Sequence, residues 1–342
     1  MRRQPIHRRG ERLSRKRGFV ALVLALAAAT QAAPGHAQIL GIDDRSPAEE
    51  CCLVLVLPVG ARSVALGRAL TAATSPDAVF TNPAGLAGVE GGHLLIHNTE
   101  VAAQGNAFSL LLTPAGLGTI GLSYELVAFD EIEYTDERGQ TIGVGTLRHH
   151  ILVASYAANL GRGVGAGLNY KLYHFRIGCR GMCDGEKVTA TTHAVDLGVQ
   201  FQPPGMPSLR LGAAVSNVGF PLQVINAEQA DPLPVRARVG VAYEVLHHLS
   251  SLEGVELWWA IDLVDEWRYP GAPTVSTGIE LAVGRTIFLR SGYVPGEGIG
   301  TGAAIGVGIE HDRFTMSIAR SFASSPLEAA EEPMQFSFGL RF

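Results

Sequence analysis

Residues 335–342 set Phe336, Phe338, Leu340 and Phe342 against Ser337, Gly339 and Arg341. Such strict alternation becomes two unlike faces only in a β-strand, where successive side chains point to opposite sides. The same period runs through 164–172, 194–201, 235–245 and 275–283. In each, one face is bulky and apolar and the other is glycine mixed with charge. A soluble sandwich also alternates, but its outward face is richly charged and its inward face bulky. A bulky face opposed to a small one suits a barrel with lipid outside and a narrow or filled lumen.

About 14 such segments are expected, at roughly 91–102, 104–113, 116–130, 146–160, 162–176, 188–203, 208–218, 235–247, 252–266, 273–285, 286–294, 300–311, 312–322 and 334–342. Many reach the roughly 9 to 11 residues that a tilted strand needs to cross a bilayer. An even number lets an antiparallel sheet close with both ends on one side. Closure is required in lipid, since an open edge leaves N–H and C=O groups unpaired. The expected fold class is therefore all-β, a transmembrane antiparallel barrel of about 14 strands over residues 91–342. Short turns at 114–118 and 160–163 should alternate with long polar connections at 130–145, 178–186, 218–234 and 323–333.

Charge is unevenly spread. Eight of the 27 basic residues precede residue 18, where Glu11 is the one acid. An apolar run over 19–29 and small residues around Gly35, His36 and Ala37 follow, so 1–37 reads as a cleaved secretory signal peptide and the chain as an outer-membrane protein. The run is short of the roughly 20 residues a spanning helix needs. The remaining chain is acidic, which argues against nucleic acid as a partner. With 47% hydrophobic residues the chain is not disordered.

Residues 38–90 lack the alternation and are rich in small residues, with a turn signal at Asn82, Pro83, Ala84 and Gly85. A segment too small and apolar to fold alone, placed before a barrel, is expected to sit inside it as a plug.

Gly60, Ala61 and Arg62, then Gly67, then Ser75, Pro76, Asp77 and Ala78, then Asn82, Pro83, Ala84, Gly85 and Leu86 resemble the N-terminal signature of the PorV/PorQ family of outer-membrane proteins. That family is related to the FadL long-chain fatty-acid transporters, which share the Asn-Pro-Ala element in their hatch. Segments 211–219, 233–240 and 289–293 resemble further family segments. The resemblance implies a 14-stranded barrel with an N-terminal hatch, and a role in type IX secretion with secreted proteins or secretion-machinery components as partners. It also implies that Phe338, Leu340 and Phe342 form the signal read by the barrel assembly machinery. A FadL-like conduit for a hydrophobic small-molecule ligand needs the same barrel and plug and is the alternative reading.

No catalytic residue and no cofactor is expected: no Gly-x-Ser-x-Gly elbow, phosphate loop or His-Glu-x-x-His helix occurs. No metal site is expected either, because His149–His150 and His247–His248 put neighbours on opposite strand faces. Asp262, Asp265 and Glu266 beside Trp258, Trp259 and Trp267 read as acids just beyond interfacial tryptophans. Cys179 and Cys183 lie in an expected polar loop of an exported protein and are expected to be bridged, a zinc site with His174 being the weaker alternative. Cys51 and Cys52 are adjacent, and a bridge between them would be strained.

Overall fold

The computed structural model describes residues 50–100, 103–181, 188–247, 254–296, 301–322 and 334–342. The expected signal peptide and residues 38–49 lie outside the described residues. Fourteen strands follow in order: β1 (Gly92–Glu100), β2 (Gln104–Leu112), β3 (Thr119–Thr135), β4 (Thr141–Gly161), β5 (Val164–Gly181), β6 (Val188–Phe201), β7 (Leu209–Gly219), β8 (Arg236–Glu244), β9 (Val255–Glu266), β10 (Thr274–Val283), β11 (Ile287–Val294), β12 (Gly302–His311), β13 (Phe314–Phe322) and β14 (Met334–Arg341). Each pairs antiparallel with the next, and β1 pairs with β14, closing the barrel. At the seam, Gly92 and Phe342 exchange main-chain hydrogen bonds at 2.8 and 2.9 Å.

Alternation decides which way each side chain faces. Ile96, Phe108, Leu122, Leu152, Leu168, Val239, Ile279, Leu289, Ile305 and Phe336 remain exposed on the outer wall. Their neighbours Ser109, Ser123, Ser155, Asn169, Asp196 and Ser276 are buried within. Bulky apolar groups outside and small or polar groups inside is the inverse of a soluble protein and the pattern of a barrel in lipid.

Two expected loops are strands. The connection expected at 130–145 is an extended hairpin, with β3 running to Thr135, β4 starting at Thr141 and a bulge between Phe129 and Ile132. Likewise 178–181 belong to β5. The ladder of main-chain hydrogen bonds continues through these segments, where Ile132 and Tyr134 on β3 and Ile142 and Val144 on β4 stand among acids and glycines. The connection after β7 carries a bridge between Leu222 and Asp231 and folds back, burying Leu222 and Leu233.

Residues 50–91 form no strand. They comprise a 3-10 turn (Leu53–Val56), a short helix α1 (Ala61–Ala65) and 3-10 turns at Pro76–Phe80 and Pro83–Gly88. Ala61, Ala65, Leu70, Val79, Ala84 and Leu86 are almost fully buried, and the segment's hydrogen bonds reach β6, β9, β10 and β14, so the ring of strands encloses it. Cys51 and Cys52, for which a bridge was expected to be strained, are joined to each other with Cα atoms 3.7 Å apart. Cys52 takes a left-handed backbone, φ 62°, that bends the chain into the following turn.

Candidate functional site

The lumen is built around three polar anchors. In the first, Asp262 on β9 accepts from the amides of Leu70 (3.1 Å) and Thr71 (2.9 Å) and from the Thr71 hydroxyl (2.6 Å). Asn82 caps the turn that follows it, accepting from the Ala84 amide at 3.1 Å while its own amide donates to the Thr71 carbonyl at 2.6 Å. Pro83 stands at the first position of that turn, where its missing N–H costs nothing. Gln200 on β6 donates to the Thr71 and Ala73 carbonyls. Main-chain groups of a chain with little regular structure are thus satisfied by barrel side chains.

The second anchor is an ion cluster. Arg62 grips Glu280 of β10 through two bonds, 2.9 and 3.0 Å, and Arg290 of β11 reaches the same carboxylate at 2.6 Å while donating to Ser317. Burial alone would lower the Arg62 pKa, but Glu280 and then Asp77 outweigh it and hold the guanidinium above its ordinary value. Nearby, Ser337 accepts from the Ala61 amide and pairs with His97, both at 2.8 Å. Gly60, with φ 87°, lies against that histidine. Asp77 is 3.9 Å from the other ring nitrogen of His97. Burial, with Arg238 close by, pushes Arg68 down to about 10.

The third anchor joins Lys171 of β5 to Asp196 of β6 at 2.9 Å and to Asn217 of β7 at 2.8 Å. Asn217 adopts φ 62° at a bulge in the β6–β7 ladder, which turns its side chain inward. Asn169 completes the set, donating to Asp196 and to the Val79 carbonyl.

Inward glycines make room for the segment. A Cβ at Gly278 or Gly292 would collide with the main chain of Leu66, and one at Gly167 with that of Pro83. Gly67, with φ 57°, turns the segment where it touches β10 and β11, and Gly85 packs on Ala73 and Ala78.

Beside the segment lies a cavity of about 580 Å³, with walls that include Leu55, Leu57, Phe80, Val264 and Val294 and a polar side carrying Lys171, Arg236 and Arg238. On the outer face a shallow groove of about 490 Å³ runs over Leu197, Val199, Ala213, Val215, Val239 and Leu263. Arg238 and Asp265 line both, so only the β8–β9 wall separates them. A second apolar group, Val127, Ile151, Val153 and Tyr173, lines the β3–β5 side, where Tyr173 hydroxyl meets His149 at 2.7 Å.

The other expected residues fall as follows. Phe336 and Phe342 are exposed on the outer wall, with Phe338 and Leu340 on the same face and Phe338 close to Phe314. Trp259 and Trp267 are exposed, but Trp258 points into the lumen under the Arg210 guanidinium, 4.3 Å from its ring, because position 258 shares the parity of Asp262. Asp262 itself is fully buried rather than beyond the membrane edge. His149 faces in and His150 out. Cys179 is disulfide-bonded, and Cys183 lies outside the described residues. His174 lies on the face of β5 opposite Cys179, so the two do not converge on a zinc ion. Among the described residues, no cluster of three metal-ligating side chains forms.

The anchoring roles of Asp262, Glu280, Arg290 and Gln200 were not read from the sequence. Their signal is a charged or long polar residue at an inward position whose neighbours on that face are small, as Glu280 stands among Ser276, Gly278 and Ala282.

No family model matches the chain, and no curated protein matches it. Solved structures do. The toluene transporter TodX of P. putida aligns at 14% identity with a TM-score of 0.54, over 83% of this chain and 98% of that one. The CymD monoaromatic hydrocarbon channel aligns at 13% identity with a TM-score of 0.56, over 83% and 97%. What the chain shares with these proteins is the fold of a closed antiparallel barrel.

Proposed function

We propose that the chain is an outer-membrane channel for hydrophobic small molecules, with residues 50–91 acting as the plug that a ligand must pass. The observation that carries this is the cavity of about 580 Å³ between plug and barrel, part apolar at Leu55, Leu57, Phe80, Val264 and Val294 and part polar, and backed by an apolar lipid-facing groove across the β8–β9 wall. The likeness of fold to a toluene transporter and a monoaromatic hydrocarbon channel supports the same reading. The exposed apolar wall supports the outer membrane, where such barrels reside. The polar side of the cavity, where Lys171, Arg236 and Arg238 stand with Asp265 and Glu266, suits a ligand that carries polar groups on an apolar body.

The type IX secretion reading rests on the PorV/PorQ-like segments alone, chiefly those around Gly60, Asp77 and Asn82 with 211–219, 233–240 and 289–293. Those residues here tie the segment to the barrel wall, which a channel needs as much as a secretion partner does.

The test is uptake of a labelled aromatic hydrocarbon by cells expressing the chain. Uptake above cells with an empty vector, altered by Asn82→Ala with Pro83→Gly while the barrel remains in the membrane, supports the channel. Unchanged uptake, together with a stranded secreted protein when the hairpin tip 136–140 and the connection 220–234 are trimmed, overturns it.

A further inference from the structure

We propose that the outer wall over β3–β6 holds a binding site for the phosphates of an anionic glycolipid in the surrounding leaflet. The inference rests on the barrel standing in an outer membrane and not on what the lumen carries. In register across β4 and β5, Arg148 lies directly opposite Arg176, and His150 opposite His174. All four share the outward parity of Leu152 and Leu172, and both arginines are exposed. His193 on β6 lies diagonally next to His174, since its own partner is Leu172.

Like charges placed directly opposite in a ladder destabilise it. Among the described residues neither guanidinium has a hydrogen-bond or ion-pair partner, and no carboxylate shares these two rows. An anion held between the two forks removes the repulsion, and phosphate matches the planar guanidinium in a paired geometry that a lysine cannot offer.

Each of the three histidines has its Nδ1 engaged by a neighbouring hydroxyl. Tyr124 hydroxyl meets Nδ1 of His150 at 2.7 Å, and Nδ1 of His174 meets the Thr191 hydroxyl at 2.8 Å. Tyr170 likewise meets Nδ1 of His193. Where the hydroxyl is the donor, a neutral ring carries its proton on Nε2 and can donate to an anion without being charged.

Depth selects the lipid headgroup as the occupant. On β5 the outward residues Val164, Ala166, Leu168, Tyr170 and Leu172 precede His174. That stretch spans residues 164–172, which meets the lower end of the roughly 9 to 11 residues that a tilted strand needs to cross the apolar band. The basic rows follow at once, on the side of the long connections, where the headgroups of the external leaflet lie. The apolar wall beneath would take the acyl chains while the two rows take the phosphates.

The test reconstitutes the full chain in phosphatidylcholine vesicles containing either diphosphorylated lipid A or its dephosphorylated form, and measures glycolipid retained after detergent extraction by native mass spectrometry. The diphosphorylated form should be retained and the dephosphorylated form lost. Arg148→Gln with Arg176→Gln should lower retention about tenfold or more, since both guanidiniums that face the phosphates are lost. Arg148→Lys with Arg176→Lys should keep part of it, and both variants should still show the heat-shifted band of a folded barrel. Equal retention of the two lipids, undiminished retention by the glutamine variant, or complete displacement by inorganic phosphate would each overturn the site. Failure of the hydrocarbon-uptake test leaves these readouts untouched.

Discussion

Asp262 holds Thr71 by two bonds, accepting its amide at 2.9 Å and its hydroxyl at 2.6 Å, deep inside the barrel and 191 residues away in sequence. A buried carboxylate accepting from three protein donors fixes the middle of the enclosed segment. Asp262→Asn keeps the shape but removes the charge and turns one acceptor into a donor. Bonds to a charged group contribute about 1.5–3 kcal/mol each way. The expected outcome is faster amide exchange at 66–74 with the strand ladder still protected, read by hydrogen–deuterium exchange in detergent. Unchanged exchange there would show that Asp262 is not what anchors the segment.

Glu280 neutralises two arginines at once, Arg62 at 2.9 Å and Arg290 at 2.6 Å. Glu280→Gln leaves the two guanidiniums facing each other without a counter-charge. Breaking a buried pair from one side costs about 3–5 kcal/mol. Arg62→Gln removes only one of the two cations and should cost less. Thermal unfolding in detergent should therefore rank the natural chain above Arg62→Gln and Arg62→Gln above Glu280→Gln; the reverse order of the two variants would contradict the shared-carboxylate account.

Phe342 closes the seam through its main chain and stands exposed on the outer wall. Removing it takes away both the last ladder bonds and a terminal aromatic facing lipid. Yield of the heat-shifted folded form on a detergent gel should fall sharply, while Phe342→Tyr, which keeps an aromatic and the ladder, should fold nearly as well as the natural chain.

How much of this was legible depends on what each pattern encodes. Period two fixed strand number, because each crossing must present one face to lipid; the strands read from 208–218 and 286–294 are β7 and β11, within a few residues. The β3–β4 hairpin reads as a loop because its acids and glycines, Asp130, Glu131, Glu133, Asp136, Glu137 and Gly139 among them, mask the short alternation of Ile132 and Tyr134 on β3 and of Ile142 and Val144 on β4. Enclosure of the segment 50–91 follows from its small residues facing inward glycines. The anchors were invisible for another reason. Asp262 and Thr71 belong to opposite ends of the chain, and no local pattern pairs them. Trp258 and Trp259 look alike in sequence, but adjacent strand positions face opposite sides, so one enters the lumen and the other meets lipid.

Cys179 is disulfide-bonded at the end of β5. With Cys51 and Cys52 joined to each other, Cys183 is its expected partner. Peptide mapping without reductant should recover a linked fragment containing residues 179 and 183. A linkage from Cys179 to Cys51 or Cys52 would refute both assignments together.

The last prediction concerns how the segment is kept in place by shape alone. Gly278 of β10 faces inward, and a Cβ there would overlap the main chain of Leu66. A valine at this position cannot be absorbed by a side-chain rotation, because what it meets is backbone. The strand itself suffers little, since valine favours β structure and the pairs of β10 with β9 and β11 are main-chain bonds. Gly278→Val should therefore leave the heat-shifted band of the barrel intact while forcing residues 66–67 away from the wall. In planar bilayers the variant should show larger or noisier conductance than the natural chain. Gly278→Val with conductance unchanged and the segment still protected from protease would mean the wall gives way instead, and that close approach at Gly278 does not seal the lumen.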